Sequence, residues 1–232
     1  MAEITQEPEP EPETEGKDKL FSKELLNDIL YASVKGFSWA GLKLFTDLKI
    51  DGKENIPLRD KAILATISDN ALRDMAIISQ VSGRRIHFMV HHKLMSHQIY
   101  GPVLKALGMF RSTYDKEDTE PIDKVFHYLN EVGDLVAMTP ESKLDPETQL
   151  KAMAGIIKFA VAGNAPIIPL AIYSEKTKLF NMINVDGIRV KIGTPLKVEK
   201  HLNRDKYRDQ RYELAEDILK IIESLKAVPE FE

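Results

Sequence analysis

Acidic side chains that could act as bases or as ion ligands follow two apolar runs of the sequence. Asp69 and Asp74 lie five positions apart after the run Lys61–Ser68, and Glu141 follows a later run. A carboxylate whose pKa is raised by a neighbouring carboxylate can serve as a base, and three that converge can bind a hard cation. A structural role for Asp69 is the alternative, because an aspartate before a helix that starts at Asn70 is a good N-cap.

Histidines close to these carboxylates in the chain are further candidates for chemistry. His91, His92 and His97 follow the apolar run at 85–90. One of them could replace a missing base, but ordinary polar positions are the favoured interpretation. Their spacing matches no strong metal-ligand signature, so we predict no metal site.

Short apolar runs alternate with amphipathic stretches from residue 50 onward. The runs predict strands at 61–68, 85–90, near Met109, 134–138, 166–173 and 189–192. Helices are predicted at 70–80, 93–107, 122–132, 148–161 and 207–225. This alternation is typical of an α/β fold, with a mostly parallel central sheet flanked by helices. We expect Asp69, Asp74 and Glu141 in loops or helix starts at the carboxyl edge of that sheet.

The first fifty residues divide into two segments. Residues 1–19 are acidic and Pro-rich, and they are predicted to be a disordered tail because they offer little apolar surface to offset the entropy of ordering. Residues 20–49 carry leucines and aromatic residues at near-helical spacing. They predict an amphipathic helix pair, or one helix with a break at Gly36. Their apolar face could pack on the domain at 50–232 or lie in a membrane interface.

Composition restricts the classes of function. The chain of 232 residues has a net charge of -4 and no cysteine, which excludes disulfides and thiolate nucleophiles and gives no case for nucleic-acid binding. No secretory signal is recognised, and no apolar run reaches the roughly 18 residues that span a bilayer. We expect a cytoplasmic protein without a cofactor, either free or peripheral at the inner face of the membrane.

Five segments together resemble the glycerolipid acyltransferase family, whose best-known members acylate lysophosphatidic acid. In chain order they are DGKENIP at 51–57, TISDNALRDMAII at 66–78, LGMFRSTYDKED at 107–118, AMTPESKLD at 137–145 and APIIPLAIY at 165–173. Their order and spacing over residues 47–195 make the resemblance fairly specific. It implies the family's α/β fold and a place in phospholipid biosynthesis.

The resemblance also implies which residues would do the chemistry. In the family, a histidine in the first motif is the general base for the acceptor hydroxyl, and an aspartate five positions later orients it. The hydroxyl attacks the thioester of acyl-CoA or acyl-carrier protein, and basic residues of the second and third motifs bind the acceptor's phosphate. Asp74, Gly108, Pro140 and Glu141 match this pattern.

The chain departs from the family pattern where the chemistry is carried. Asp69 stands in the histidine position, and Tyr114 and Leu144 stand in the arginine positions. An unperturbed aspartate has a pKa of about 3.9 against about 6.5 for histidine, so it is the weaker base. Asp69 and Asp74 are the candidate catalytic residues. The candidate substrate-binding residues are Gly108, Arg111, Pro140, Glu141, Ser142 and Lys143.

Two functional hypotheses follow. The first is a divergent or non-catalytic family member that binds a lipid or acyl ligand, or a partner. The second is an active O-acyltransferase that uses acyl-CoA or acyl-carrier protein, with Asp69 as the base and a glycerolipid-like acceptor without a phosphate. Losses at three separate motif positions favour the first.

Overall fold

The chain folds around one seven-stranded sheet. The computed structural model describes residues 15–113, 117–179, 183–198 and 206–227. The strands are β1 Leu48–Asp51, β2 Ala62–Ala65, β3 Ile86–Val90, β4 Phe110–Arg111, β5 Leu135–Met138, β6 Ile167–Leu179 and β7 Ile183–Ile192. The helices are α1 Glu15–Phe45, α2 Ala71–Ile78, α3 His92–Met95, α4 Tyr100–Ala106, α5 Glu120–Phe126, α6 Pro146–Gly163 and α7 Tyr207–Ala227. A π-helical stretch, His127–Val132, continues α5.

The strand order places the candidate residues at one edge of the sheet. The order is β1-β7-β6-β2-β5-β3-β4, and every neighbouring pair is parallel except β6 and β7. The carboxyl ends of β2, β5 and β3 therefore lie side by side. The predicted fold class, a mostly parallel sheet with flanking helices, is confirmed.

Both faces of the sheet are covered, which explains the continuous apolar runs in the sequence. In β2, Leu64 packs in a cluster with residues of α2 and α4, whereas Ile63 packs with residues of α5, α6 and α7. All four residues of β2, and all four of β5, are buried. The short central strands are thus held from both sides.

Helix α1 differs from the predicted helix pair. It is one helix that passes through Gly36 without a break and begins at Glu15, inside the segment predicted to be disordered. Residues 1–14 lie outside the described residues. A glycine lowers helix stability by only about 1 kcal/mol, and a Cβ at Gly36 would meet no atom within 4 Å. Gly36 therefore lies in an open part of the helix, and its cost is too small to end a helix that tertiary contacts hold.

Those tertiary contacts lie on the inner side of α1. Asp28 pairs with the Arg85 guanidinium at 2.5 Å, and the Tyr31 hydroxyl accepts a hydrogen bond from the backbone N–H of Ile86 at 3.1 Å. Lys35 Nζ donates to the carbonyl of Ser82 at 2.5 Å. These contacts seat the helix across α2 and the beginning of β3.

The predicted helix at 93–107 is also divided differently. It forms α3 and α4, with a turn between them in which His97 Nδ1 accepts hydrogen bonds from the N–H groups of Ile99 and Tyr100. The predicted strands at 166–173 and 189–192 are longer than expected. They pair from Leu170↔Ile192 to Leu179↔Ile183 as one antiparallel ladder.

The segment at 51–57 forms the turn after β1 because two of its residues meet the end of β7. Gly52 has φ 80°, and a Cβ there would lie 2.3 Å from the carbonyl oxygen of Ile192. Asn55 Nδ2 donates to the same oxygen at 2.9 Å. The glycine is thus needed both for its left-handed conformation and for the close approach of two backbones.

We expect Gly52→Ala to lower the free energy of unfolding by about 2–4 kcal/mol, because a positive φ and a backbone clash coincide. Gly133→Ala is the matched control, since Gly133 has φ 76° but open space around its Cβ position. That change should cost about 1–2 kcal/mol. Urea denaturation of both variants measures the difference, and equal losses would contradict the proposed clash.

Candidate active site

The loops that follow β2 and β5 are joined by backbone hydrogen bonds. Ser68 N–H donates to the Pro140 carbonyl at 2.8 Å, and Ser142 N–H donates to the Ser68 carbonyl at 2.8 Å. Ser68 and Glu141 thereby extend the parallel pairing of the two strands. Asp69 and Glu141 are therefore carried on adjacent loops at the carboxyl edge, as expected.

Asp74 holds the loop before α2 from the inside. Its carboxylate is 2% exposed, and its Oδ2 accepts hydrogen bonds from Ser68 Oγ at 2.7 Å and from the N–H groups of Asp69 and Asn70 at 3.1 and 3.3 Å. Its Oδ1 accepts from Arg73 Nε at 2.9 Å. A buried carboxylate needs such donors, and all four come from the same strand-to-helix connection. Asp74 is thus fully engaged in binding its own loop.

Asp69 does not cap helix α2. The N-cap is Asn70, whose side chain accepts from the N–H of Arg73 at 3.2 Å. The N-cap alternative for Asp69 is therefore wrong, because the helix begins one residue later than that role requires. Asp69 is exposed, and among the described residues no hydrogen-bond or ion-pair partner of its carboxylate is found. Its side chain is available to solvent and to a ligand.

His91 lies at the carboxyl end of β3, the third strand that ends at the site. It follows β3, and its Nδ1 accepts from the N–H of Lys93 at 3.2 Å. Partial burial lowers the pKa of His91 and the adjacent His92 lowers it further, whereas Glu141 opposes the shift. The loops after β3 and β5 are neighbours because these two strands pair in parallel. A nearly neutral imidazole and two acidic loops thus share this edge.

The remaining candidates are only partly gathered at this edge. Pro140, Glu141, Ser142 and Lys143 lie together in the loop after β5, and Lys143 is exposed. Gly108 lies away from them, before β4, where a Cβ would approach the side chains of Arg85 and His87. Tyr114 lies outside the described residues.

Arg111 is already neutralised by carboxylates. Its guanidinium forms a two-point pair with Asp118 and a 3.0 Å contact with Glu120 Oε2. The hydrogen bonds to these two acids raise the pKa of Arg111. An anionic substrate would therefore have to displace two carboxylates before it could bind this arginine.

No cation site emerges from the acidic residues. Among the residues that the structure describes, no three His, Asp or Glu side chains are grouped closely enough to hold a metal ion. The suggestion that Asp69, Asp74 and Glu141 converge on a cation is therefore not supported. Asp74 turns inward to its loop, whereas Asp69 and Glu141 are exposed.

A sequence model of the family described as Acyltransferase matches residues 47–173, which is more than half of the chain. The chain belongs to the acyltransferase family. The matched region includes β1, the loops after β2 and β5, and most of the strand order described above. The family resemblance drawn from the five segments is thereby confirmed.

The fold has a solved counterpart. The 1-acyl-sn-glycerophosphate (LPA) acyltransferase PlsC from Thermotoga maritima matches 93% of this chain and 90% of its own, with a TM-score of 0.61 and 17% identity. At that identity the likeness concerns the fold. No curated protein matches the sequence significantly.

An apolar cavity of about 430 Å³ lies beside the site in this acyltransferase-family chain. Helices α1, α2 and α4 form its walls, and Phe88 of β3 also lines it. The wall residues include Val34, Leu72, Met75, Ala76, Val103 and Leu104. Sequence reasoning missed this cavity, because residues spaced i, i+3 and i+4 along α2 resemble a helix face packed in the core.

We expect Asp74→Ala to lower the free energy of unfolding by about 3–5 kcal/mol, because Arg73 and three loop donors lose their common acceptor. Asn70→Ala, which removes only the N-cap of the same helix, should cost about 1 kcal/mol. Chemical denaturation of the two variants gives the comparison. An Asp74→Ala protein as stable as Asn70→Ala would show that the carboxylate does not organise the loop.

Proposed function

We propose that this acyltransferase-family protein binds an acyl chain but does not transfer it to a phosphorylated acceptor. The observation that carries the proposal is the apolar cavity next to a loop in which Asp69 occupies the family's histidine position. The family membership and the PlsC-like fold support an acyltransferase-like scaffold.

The cavity has the size and lining that an acyl chain needs. Ligand pockets commonly measure about 300–1,000 Å³ and are lined mainly by apolar side chains. Here Leu72 and Met75 of α2 face Val103 and Leu104 of α4, with α1 closing the third side. Each buried methylene contributes about 0.8 kcal/mol to binding, so a chain of moderate length suffices for stable association.

The polar side of the site is unsuited to a phosphate. Asp69 and Glu141 are exposed acids on adjacent loops, and they would repel a phosphorylated acceptor. Arg111 is held by Asp118 and Glu120, so it offers no ready compensation. Without an imidazole at position 69 and with Arg111 already paired, both activation and binding of such an acceptor are deficient.

The outer side of α1 supports binding at a lipid surface. Large apolar side chains on this helix are exposed, among them Leu26 at 65%, Phe37 at 84% and Leu44 at 66%. In the described part of the chain no helix is long and apolar enough to cross a bilayer. An exposed apolar helix face of this kind matches insertion into the interface between headgroups and acyl chains. We therefore propose that the protein binds at a membrane surface through α1, one wall of the cavity.

We expect no measurable transfer from acyl-CoA to lysophosphatidic acid at neutral pH, because a positioned base supplies about 10²–10⁴ in rate. Asp69→His should restore little. The Oδ1 atom of Asp74, which would have to orient the new ring, already accepts a hydrogen bond from Arg73. Asp69→His combined with Arg73→Gln should restore more. Thiol release and mass spectrometry of the product measure transfer. Robust turnover by the unmodified chain that is abolished in Asp69→Asn would instead establish Asp69 as the base.

We expect Phe37→Asn combined with Leu44→Asn to reduce flotation with phosphatidylcholine vesicles severalfold, because both side chains lie on the exposed face of α1. Leu58→Asn is the matched control, since Leu58 is 89% exposed but lies in the loop before β2. Trp39, the single tryptophan of the chain, lies on α1 and is half exposed. Its emission should shift to shorter wavelength when vesicles are added. Equal flotation of all three proteins would contradict this orientation.

A further inference from the structure

The apolar cavity contains one charged wall residue among those that the structure describes. Lys35, on the inner side of α1, lines the cavity together with side chains that are almost all apolar. Its ammonium group donates to the carbonyl of Ser82 at 2.5 Å, which leaves two N–H donors for another acceptor. In the described part of the chain no carboxylate pairs with it.

The surroundings of Lys35 make this end of the cavity electropositive. Burial lowers the pKa of Lys35, and the nearby charge of Lys53 lowers it further. The charge of Lys53 thus acts on Lys35 in the same direction as burial. A cation that is half removed from water and repelled by a neighbour is stabilised by an incoming anion.

The opposite end of the cavity lacks such a cation among the described wall residues. Helix α2 runs along the wall from Leu72 in its first turn to Ser79 at its C-cap, a distance of about 10 Å at 1.5 Å per residue. Ser82, the partner of Lys35, lies just beyond the C-terminal end of α2, whereas Asp69 and Asp74 lie at its beginning. A ligand with a long apolar chain and a negative head is thus attracted to the end at Lys35, and among the described wall residues no second cation competes for it.

We infer that the ligand of this cavity is a free long-chain carboxylate, whose head is held by Lys35 and whose chain runs along α2 towards Leu72. This inference rests on the proposed binding of an acyl chain and specifies its chemical class. It also explains why such a ligand would not react, because its carboxylate lies at the end of the cavity remote from Asp69. An acyl thioester, whose carbonyl end carries no charge, does not fit this distribution of charge as well.

The test compares two ligands of equal chain length on the full-length protein. Dodecanoate carries the carboxylate and 1-dodecanol does not, and calorimetry or competition with a fluorescent probe measures the affinity of each. We expect dodecanoate to bind about tenfold more tightly or better, as a charge-assisted hydrogen bond implies. Its affinity should fall at alkaline pH, as Lys35 loses its proton, while that of 1-dodecanol should not.

Three variants separate charge recognition from structure. Lys35→Met should abolish the preference for dodecanoate, whereas Lys35→Arg should keep it and shows that the position tolerates change. Lys105→Met is the matched control, since Lys105 is exposed on α4 and does not line the cavity. It should bind both ligands as the unmodified chain does.

The outcomes distinguish this inference from the proposed function on which it rests. Equal affinity for the two ligands, or a preference that survives in Lys35→Met, would overturn the role of Lys35 and leave acyl-chain binding intact. Failure of both ligands to bind the unmodified chain would overturn the acyl-binding function itself. If Lys35→Met does not fold, loss of the preference at alkaline pH in the unmodified chain, but not in Lys35→Arg, decides for the inference.

Discussion

The buried carboxylate of Asp74 is the interaction on which the site depends. It gathers donors from Ser68, Asp69, Asn70 and Arg73, and so connects the end of β2 to the first turn of α2. The same loop then pairs with the backbone of Pro140 and Ser142 after β5. The exposed positions of Asp69 and Glu141 follow from this double anchoring. A carboxylate buried without these donors would be too costly to keep.

The family scaffold is retained here although Asp69 stands where the family pattern has a histidine. In the family pattern the aspartate of the first motif orients a histidine. Here the matching Asp74 accepts hydrogen bonds from a hydroxyl, two backbone N–H groups and an arginine. The aspartate therefore retains a structural use that does not require the imidazole. The fold can therefore persist with Asp69 at the histidine position, because the donors that bind Asp74 hold the loop without an imidazole.

Helix α1 links the cavity to the surface. Its inner side supplies Lys35 and the contacts of Asp28 and Tyr31, whereas its outer side exposes Phe37 and other large apolar residues. A helix that is apolar outside and charged at selected points inside departs from the usual arrangement of a surface helix. Such an inversion is expected where the outer surroundings are themselves apolar and the inner side borders a ligand cavity.

The sequence by itself determined the class of fold, the order of the strands and main helices from residue 61 onward, and the edge of the sheet at which Asp69 and Glu141 lie. These features follow from local patterns, because apolar runs and amphipathic stretches repeat with the period of the element that they form. The continuity of α1 through Gly36 was decided by tertiary contacts, since a single glycine costs too little to fix a helix end. The pairing of Arg111 with Asp118 and the place of Lys35 in the cavity wall likewise depend on residues brought together from different elements. Only the folded chain defines such distances, because the alternation of polar and apolar residues records burial but not the partner of each side chain.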